Sequence, residues 1–304
     1  MNFILGSGIN ALLAKLIMGN SWQIVPFGRS RFFSFNPALC DNFIIKDDRI
    51  SEFLKDAFKI SSESFDYKCA YSTGGHIYNE YDTNLTDDWL HKIYNGQAPG
   101  HLQHYYKSHM KFEVYNLRIN KLYTTLLNSM KDEIISNSTL GNITSINDGY
   151  FIRNGKKEEY NKIINTIPQN AFMTLCGKTS NLIAKDVSIL HIETAKLNFE
   201  GYNQLWVTDR MFDFYKVTQV SPNRYVFYCH NDIPQPGPYF MPILGNDFDI
   251  LDGTSIQHML PINKVTQFDT DNIKHVGSMA QWDVGMDVGS CIIKLLMLST
   301  WGRN

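Results

Sequence analysis

The stretch from Met1 to Ser30 constrains this chain most. Phe3-Ile4-Leu5 is a short apolar run that enters Gly6-Ser7-Gly8-Ile9-Asn10-Ala11 directly. A helical spacing follows at Leu12, Leu13, Leu16 and Ile17, and then a second apolar run, Trp22-Gln23-Ile24-Val25. The order strand, glycine turn, helix, strand predicts the opening of a dinucleotide-binding βαβ unit. Gly6 permits the tight exit from the strand, and Gly8 lets backbone approach a pyrophosphate with no Cβ in the way. Ala11 stands at the third small position of G-x-G-x-x-G/A, where helix and strand pack closely. The helix N-terminus offers N–H groups and a positive dipole end to phosphates.

The unit departs from the usual pattern at one point. The acid that ordinarily holds the ribose hydroxyls is due at the end of the second strand, where the chain reads Pro26-Phe27-Gly28-Arg29-Ser30. Gly28 takes the acid's place, and Arg29 and Ser30 are left as phosphate or ribose contacts. Two readings of the unit therefore stand: a dinucleotide site, or a Rossmann-like half whose glycines only make a turn.

Composition narrows the class. Hydrophobic residues at 43% and charged residues at 19% over 304 residues give a globular chain with ample core. A formal net charge of -2 gives no general attraction to nucleic acid or acidic membranes, leaving a local basic patch as the one electrostatic route to DNA. The five cysteines (Cys40, Cys69, Cys176, Cys229, Cys291) include no C-x-x-C pair and read as reduced thiols. The nine histidines, His101 and His104 among them, complete no metal-ligand spacing. No apolar run is long enough to span a membrane, and the strand-like N-terminus lacks the features of a signal peptide, so a cytoplasmic location is expected.

Along the chain, Ile50 to Phe58 has helical spacing, and Ser72-Thr73-Gly74-Gly75-His76 is a turn between strand-like segments. Thr86 to His109 reads as short helices and loops of an inserted cap. Lys111 to Tyr115 alternates as a strand, and Asn120 to Met130 is helical. Ile143 to Ile152 forms a hairpin about Asn147-Asp148-Gly149. Tyr160 to Pro168 is a short buried strand stopped by proline. Val187 to Phe199, Leu205 to Thr208 and Asp213 to Cys229 are strand-rich, the last turning at Ser221-Pro222-Asn223. A proline- and glycine-rich loop spans Ile233 to Pro242. Ile273 to Val276 runs into Gly277, and Met286 to Leu298 is an apolar helix. Lys216 and Arg118, taken alone, read as solvated charges.

Three of these segments together resemble a family. Gly6-Ser7-Gly8-Ile9-Asn10-Ala11, the Tyr160 to Pro168 strand and Gly277-Ser278-Met279-Ala280-Gln281-Trp282-Asp283, continuing to Met286-Asp287, are similar to the flavin-dependent oxidoreductases that share the FAD fold of amine oxidases, protoporphyrinogen oxidase and UDP-galactopyranose mutase. Phe214 to Thr218 looks like the mutases' substrate-domain strand, with lysine at the usual arginine. Ser278 stands where the family has a diphosphate-binding arginine.

The resemblance implies an α/β fold, a Rossmann-like FAD-binding domain interleaved with an α+β substrate domain that contains an antiparallel sheet. It divides the chain into 1–46, 111–170 and 263–304 for the cofactor, and 47–110 and 171–262 for the substrate. It implies FAD contacts at Gly6, Gly8, Ile9, Asn10, Ala11, Arg29, Ile143 and Thr166, and on the C-terminal side at Gly277, Ser278, Asp287 and Val288. Tyr215, Lys216 and Trp282 fall on the substrate side. The activity implied is oxidation or cleavage of a small amine or amino-acid-like group, with an amino-acid-modified nucleobase in phage DNA as one form of substrate. A UDP-galactopyranose mutase-like sugar enzyme and a non-catalytic FAD-fold binding protein are the alternatives.

Overall fold

The structure is a computed structural model that describes residues 1–27, 43–59, 63–94, 110–195, 197, 199, 201–230, 247–261, 269–281 and 287–301. The N-terminal unit forms as its pattern predicts, with β1 at Asn2–Leu5, α1 at Ile9–Met18 and β2 at Trp22–Val25. β1 and β2 are parallel, Ile4 facing Ile24 in register. On the other side of β1 lies β10 (Lys162–Asn165), and beside it β16 (Ile273–His275), both parallel to it. The spatial order is β16-β10-β1-β2. Because all four strands run the same way, the exits at Gly6, Thr166 and Val276 share one edge of the sheet.

Both faces of this sheet are covered, which is why its strands are apolar almost throughout. Ile4, Ile24 and Ile164 point into a core built with α1, α4 (Ile119–Thr139) and α7 (Val288–Met297). Phe3, Leu5, Val25 and Ile163 point the other way, against a three-stranded antiparallel meander of β7 (Ile143–Asn147), β8 (Tyr150–Arg153) and β9 (Lys156–Glu159). Phe3 meets Phe151 edge to face at 5.0 Å. The free edge at β2 is closed by α4. Glu133 Oε1 accepts from Ile24 N–H at 3.1 Å, and Asn137 Nδ2 donates to Ile24 O at 2.7 Å. Two side chains one helical turn apart thus replace a neighbouring strand.

The second sheet has nine strands. In space they run β15 (Asp249–Pro261), β11 (Ala184–Glu193), β14 (Arg224–His230), β13 (Phe214–Ser221), β12 (Gln204–Val207), β4 (Ser64–Thr73), β6 (Lys111–Arg118) and β3 (Phe43–Ile45), with β5 (His76–Tyr78) paired to β4. Every pairing is antiparallel except β12 with β4. One face packs under α3 (Thr83–Tyr94), where Trp89 stacks on Trp206 at 4.9 Å. The other face buries Phe199, Phe214, Tyr225 and Phe227.

Several elements differ from the sequence expectations. α4 runs to Thr139 rather than Met130, its second half held by the edge-strand contacts of Glu133 and Asn137. β9 was not expected, although Asn154-Gly155, both at positive φ, is a two-residue hairpin signal. β15 was not expected either, for its Asp249, Asp252 and Gly253 weaken the strand pattern. β3 and β6, expected with the cofactor-side segments, hydrogen-bond into the nine-stranded sheet, while Ile44, Tyr115 and Leu117 project into the core around α1 and α7. Residues 95–109 of the expected cap and the loop at 233–242 lie outside the described residues. No helix among the described residues is long and apolar enough to cross a membrane.

Candidate functional site

The parallel edge is built by glycines of two kinds. Gly6 follows β1 at φ +114°, and its N–H donates to Val25 O at 2.9 Å. A Cβ there would stand 2.4 Å from Thr166 Oγ1. Thr166 itself donates to Leu5 O from Oγ1 at 2.7 Å and from its backbone N–H at 3.0 Å. The exits of β1 and β10 are therefore locked together, and only glycine fits between them. Gly277 follows β16 at φ +109°, and a Cβ on it would stand 2.4 Å from Asn10 Nδ2. That contact locks the exit of β16 to the first turn of α1.

Gly8 is different. It caps α1 at φ −72°, a value open to any residue, and a Cβ there would meet nothing within 4 Å. The protein itself does not need glycine at this position. The space beside Gly8 is the space a dinucleotide needs at a helix N-terminus. Ala11 is fully buried against the sheet, and Ile9 is half-buried at the same core.

The described polar groups at the edge are mostly neutral. Asn165, wholly buried, pairs through Nδ2 with His275 Nδ1 at 2.9 Å across adjacent strands. The N–H of His275 donates to Asp269 Oδ1 at 2.8 Å, and Lys294 Nζ donates to Asp269 Oδ2 at 3.2 Å. This network ties β16 to α7. At this edge three buried side-chain oxygens have no hydrogen-bond partner among the described residues: Asn10 Oδ1 on α1, Gln169 Oε1 on α5 (Gln169–Leu175) and Gln281 Oε1 on α6 (Ser278–Gln281). Sequence reading did not single out Gln169, Gln281 or the Asn165–His275 pair, whose only signal is a polar residue inside or just after an apolar strand.

Ser278 opens α6 immediately after Gly277, and Gln281 N–H donates to Gly277 O at 2.8 Å. Asp287 is the N-cap of α7, its Oδ1 accepting from Ser290 N–H at 2.6 Å, and Val288 is the first helical residue. Ile143 is buried with Phe3 and Val25 behind the sheet, in register with Arg153. Arg29, Gly28 and Trp282 lie outside the described residues.

Tyr215 and Lys216 are on β13, in the larger sheet. Tyr215 is buried in the aromatic core under α3, and its carbonyl accepts from Trp89 Nε1 at 2.6 Å. Lys216 is half-buried, its ammonium 3.4 Å from the centre of the Tyr228 ring, a cation–π contact rather than a solvated charge. Arg118 likewise is not free in solvent, since it donates to Val220 O and lies 5.3 Å from the Phe43 ring centre. Burial pushes the thiols of Cys69 and Cys291 up to about 12, so neither is a ready nucleophile. Among the described residues no three potential ligands gather to hold a metal ion.

No family model and no curated protein matches this chain. Solved structures do match over its whole length. A reduced UDP-galactopyranose mutase superposes with a TM-score of 0.63 at 9% identity, covering 100% of this chain and 94% of the other. Cyclohexylamine oxidase from Brevibacterium oxydans IH-35A gives 0.64 at 9% identity, over 99% and 98% of the two chains. A putrescine oxidase gives 0.59 at 10% identity, over 99% and 98%. The parallel glycine-edged sheet, the meander and the large antiparallel sheet together make a Rossmann-type α/β fold that this chain shares with these three structures.

Proposed function

We propose that this chain binds FAD without a covalent bond along the parallel edge, and is an oxidoreductase acting on a small amine or amino-acid-like group. The observation that carries the cofactor assignment is the contrast among the glycines. Gly6 and Gly277 are demanded by protein neighbours, whereas Gly8 faces open space at a helix N-terminus. In this reading the first-turn N–H groups of α1, at Gly8, Ile9 and Asn10, hold the diphosphate, with Ala11 letting the helix sit close to the sheet. Thr166, Gly277 and Ser278 flank it. Asp287 and Val288 lie toward the ribityl chain, and Arg29 and Ile143 toward the adenosine.

Bound flavin would supply the two-electron redox chemistry, and the chain the binding, orientation and dry surroundings. Segments 1–46, 111–170 and 263–304 would serve the cofactor, and 47–110 and 171–262 the substrate, with β3 and β6 shared between the two cores. Lys216, half-exposed on β13, would meet the substrate's acidic group, Tyr215 would back it from the core, and Trp282 would bound the pocket. The likeness to cyclohexylamine oxidase and putrescine oxidase supports an amine as substrate. The likeness to the mutase supports the second reading, a nucleotide-sugar enzyme. Neither likeness supports a modified nucleobase.

The test is spectroscopic. The purified protein, or the protein reconstituted with FAD, should show flavin bands near ~370 and ~450 nm. Loss of the longer band on anaerobic addition of a small primary amine supports the oxidase reading. Turnover of UDP-galactopyranose instead supports the mutase reading. A protein that takes up no FAD in either condition overturns both.

A further inference from the structure

We infer that Gln169 and Gln281 are flavin-binding residues, whose side-chain oxygens accept hydrogen bonds from the ribityl hydroxyls and ring N–H of the ligand; the inference rests on the flavoprotein reading above. Three observations lead to it. Gln169 is 1% exposed, yet its Oε1 has no hydrogen-bond partner among the described residues. Burying a carbonyl oxygen without a donor is costly, so an amide kept in that state marks a missing partner. Gln281 Oε1 is in the same condition, and its helix packs against the helix that Gln169 begins.

Their place in the fold selects the ligand's part. Gln169 comes three residues after Thr166, which abuts Gly6, and Gln281 comes four residues after Gly277, which abuts Asn10. Both therefore follow exits of the parallel strands, on the β10–β16 side of the sheet, with the β1–β2 crossover on the other. An oxygen without a donor needs a donor from outside. A diphosphate carries acceptors only at neutral pH and cannot satisfy it. Hydroxyl and N–H groups can; both halves of FAD carry such donors, and the place of the two glutamines on the β10–β16 side, away from the β1–β2 crossover, selects the flavin half. Asn10 Oδ1, orphaned in the same way on the first turn of α1, extends the row of acceptors toward Gly8. Recognition by neutral amides also suits a chain that has Gly28 and Ser278 where charged contacts are usual, since it moves affinity from the adenosine half to the flavin half.

The experiment uses the full chain, stripped of flavin, as wild type and as Gln169→Met and Gln281→Met, which keep the side-chain length and remove the polar atoms. Riboflavin, which has no phosphate, and ADP, which has no flavin, are titrated into each, and each flavin-free protein is melted. Each variant should bind riboflavin about tenfold or more weakly, the loss expected for one buried hydrogen bond, with ADP affinity unchanged. Each flavin-free variant should also melt about 2 °C or more higher, because the orphaned oxygen is gone. Opposite signs in the two readouts separate ligand binding from structural support. Unchanged riboflavin affinity, a lower melting temperature or a variant that does not fold overturns the inference. If wild type binds FAD while the variants bind riboflavin as well as wild type does, only this inference falls. If wild type binds neither FAD nor riboflavin, the flavoprotein reading falls with it.

Discussion

A Cβ built on Gly277 would lie 2.4 Å from Nδ2 of Asn10, although the two residues are far apart in sequence and belong to different elements. The exit of β16 and the first turn of α1 are thus in contact through a position that only glycine can fill. Gly277→Ala combines this overlap with a positive φ, and should destabilise the fold by about 1–3 kcal/mol. Gly8→Ala meets no protein atom within 4 Å and keeps an ordinary φ, so its stability should stay within about 0.5 kcal/mol of wild type. Its FAD affinity should nevertheless fall sharply, because the added methyl occupies the ligand's side of the turn. Urea melts and FAD titrations of the two variants check this. A Gly8→Ala protein that holds FAD as tightly as wild type moves the diphosphate away from α1.

Asp287 separates two roles that the sequence leaves together. Its Oδ1 caps Ser290 N–H, a bond that asparagine can keep through its own side-chain oxygen. Asp287→Ala should therefore lose about 1 kcal/mol of stability, and Asp287→Asn much less. If the carboxylate also accepts from a ribityl hydroxyl, Asp287→Asn should weaken FAD binding while the melting point of the flavin-free protein holds. Equal FAD affinity in wild type and Asp287→Asn would leave the residue as a helix cap alone.

The parts of this fold readable from sequence are those set by local rules. A glycine turn between two apolar runs specifies β1, α1 and β2 because strand exit, dipole and crossover all act within thirty residues. The Gly277 turn and the cap at Asp287 are local too. What escaped depends on partners distant in the chain. The second half of α4 is polar by composition, and its helix is settled by Glu133 and Asn137 reaching the backbone of Ile24. β15 is an edge strand, so no alternation was imposed on it from a far side. Tyr215, set on the substrate side by the family resemblance alone, has its ring in the core under α3, a placement that depends on residues far away in the chain. The orphaned oxygens at Gln169 and Gln281 come to light only when the donors of the described residues are placed around them.

Glu133 tests the edge closure directly. One carboxylate oxygen accepts from Ile24 N–H, and the other pairs at 2.9 Å with Lys15 Nζ, which is 10% exposed and also donates to Trp22 O at 2.6 Å. Removing the carboxylate strands a buried ammonium and a strand N–H together. Glu133→Ala should cost about 2–3 kcal/mol, below the ~3–5 kcal/mol of a fully buried pair because the carboxylate is 31% exposed and Lys15 keeps its bond to Trp22 O. Lys15→Met in the same background should recover part of that loss, since the unpaired charge goes with it. A double-mutant cycle by urea denaturation reads the coupling. Additive losses would show that the two groups do not act as a pair.

Lys92 gives the pH dependence. Its Nζ donates to the carbonyls of Asp209 and Phe214 at 2.6 and 2.7 Å, and desolvation by burial lowers its pKa from the ordinary 10.5 to about 8, Asp209 and Asp213 opposing the shift. The sign follows from which state holds the proton. Between pH about 8 and 10.5 the unfolded chain is still protonated at this lysine, while the folded chain has begun to release its proton. Stability contributed by this group therefore rises with pH across that window, is complete above the unfolded pKa, and is lost as pH falls through the folded value. Raised thiol and phenol pKa values, such as those of Cys69 and Tyr71 at about 12, tilt the whole protein the other way above their ordinary values. The comparison with Lys92→Met cancels them. Wild type minus Lys92→Met should become more favourable to wild type between pH 8 and 10, read by urea denaturation at each pH. A difference that stays flat, or that falls, would show that the lysine keeps its ordinary proton affinity in the folded state and that its two carbonyl bonds, not its burial, dominate.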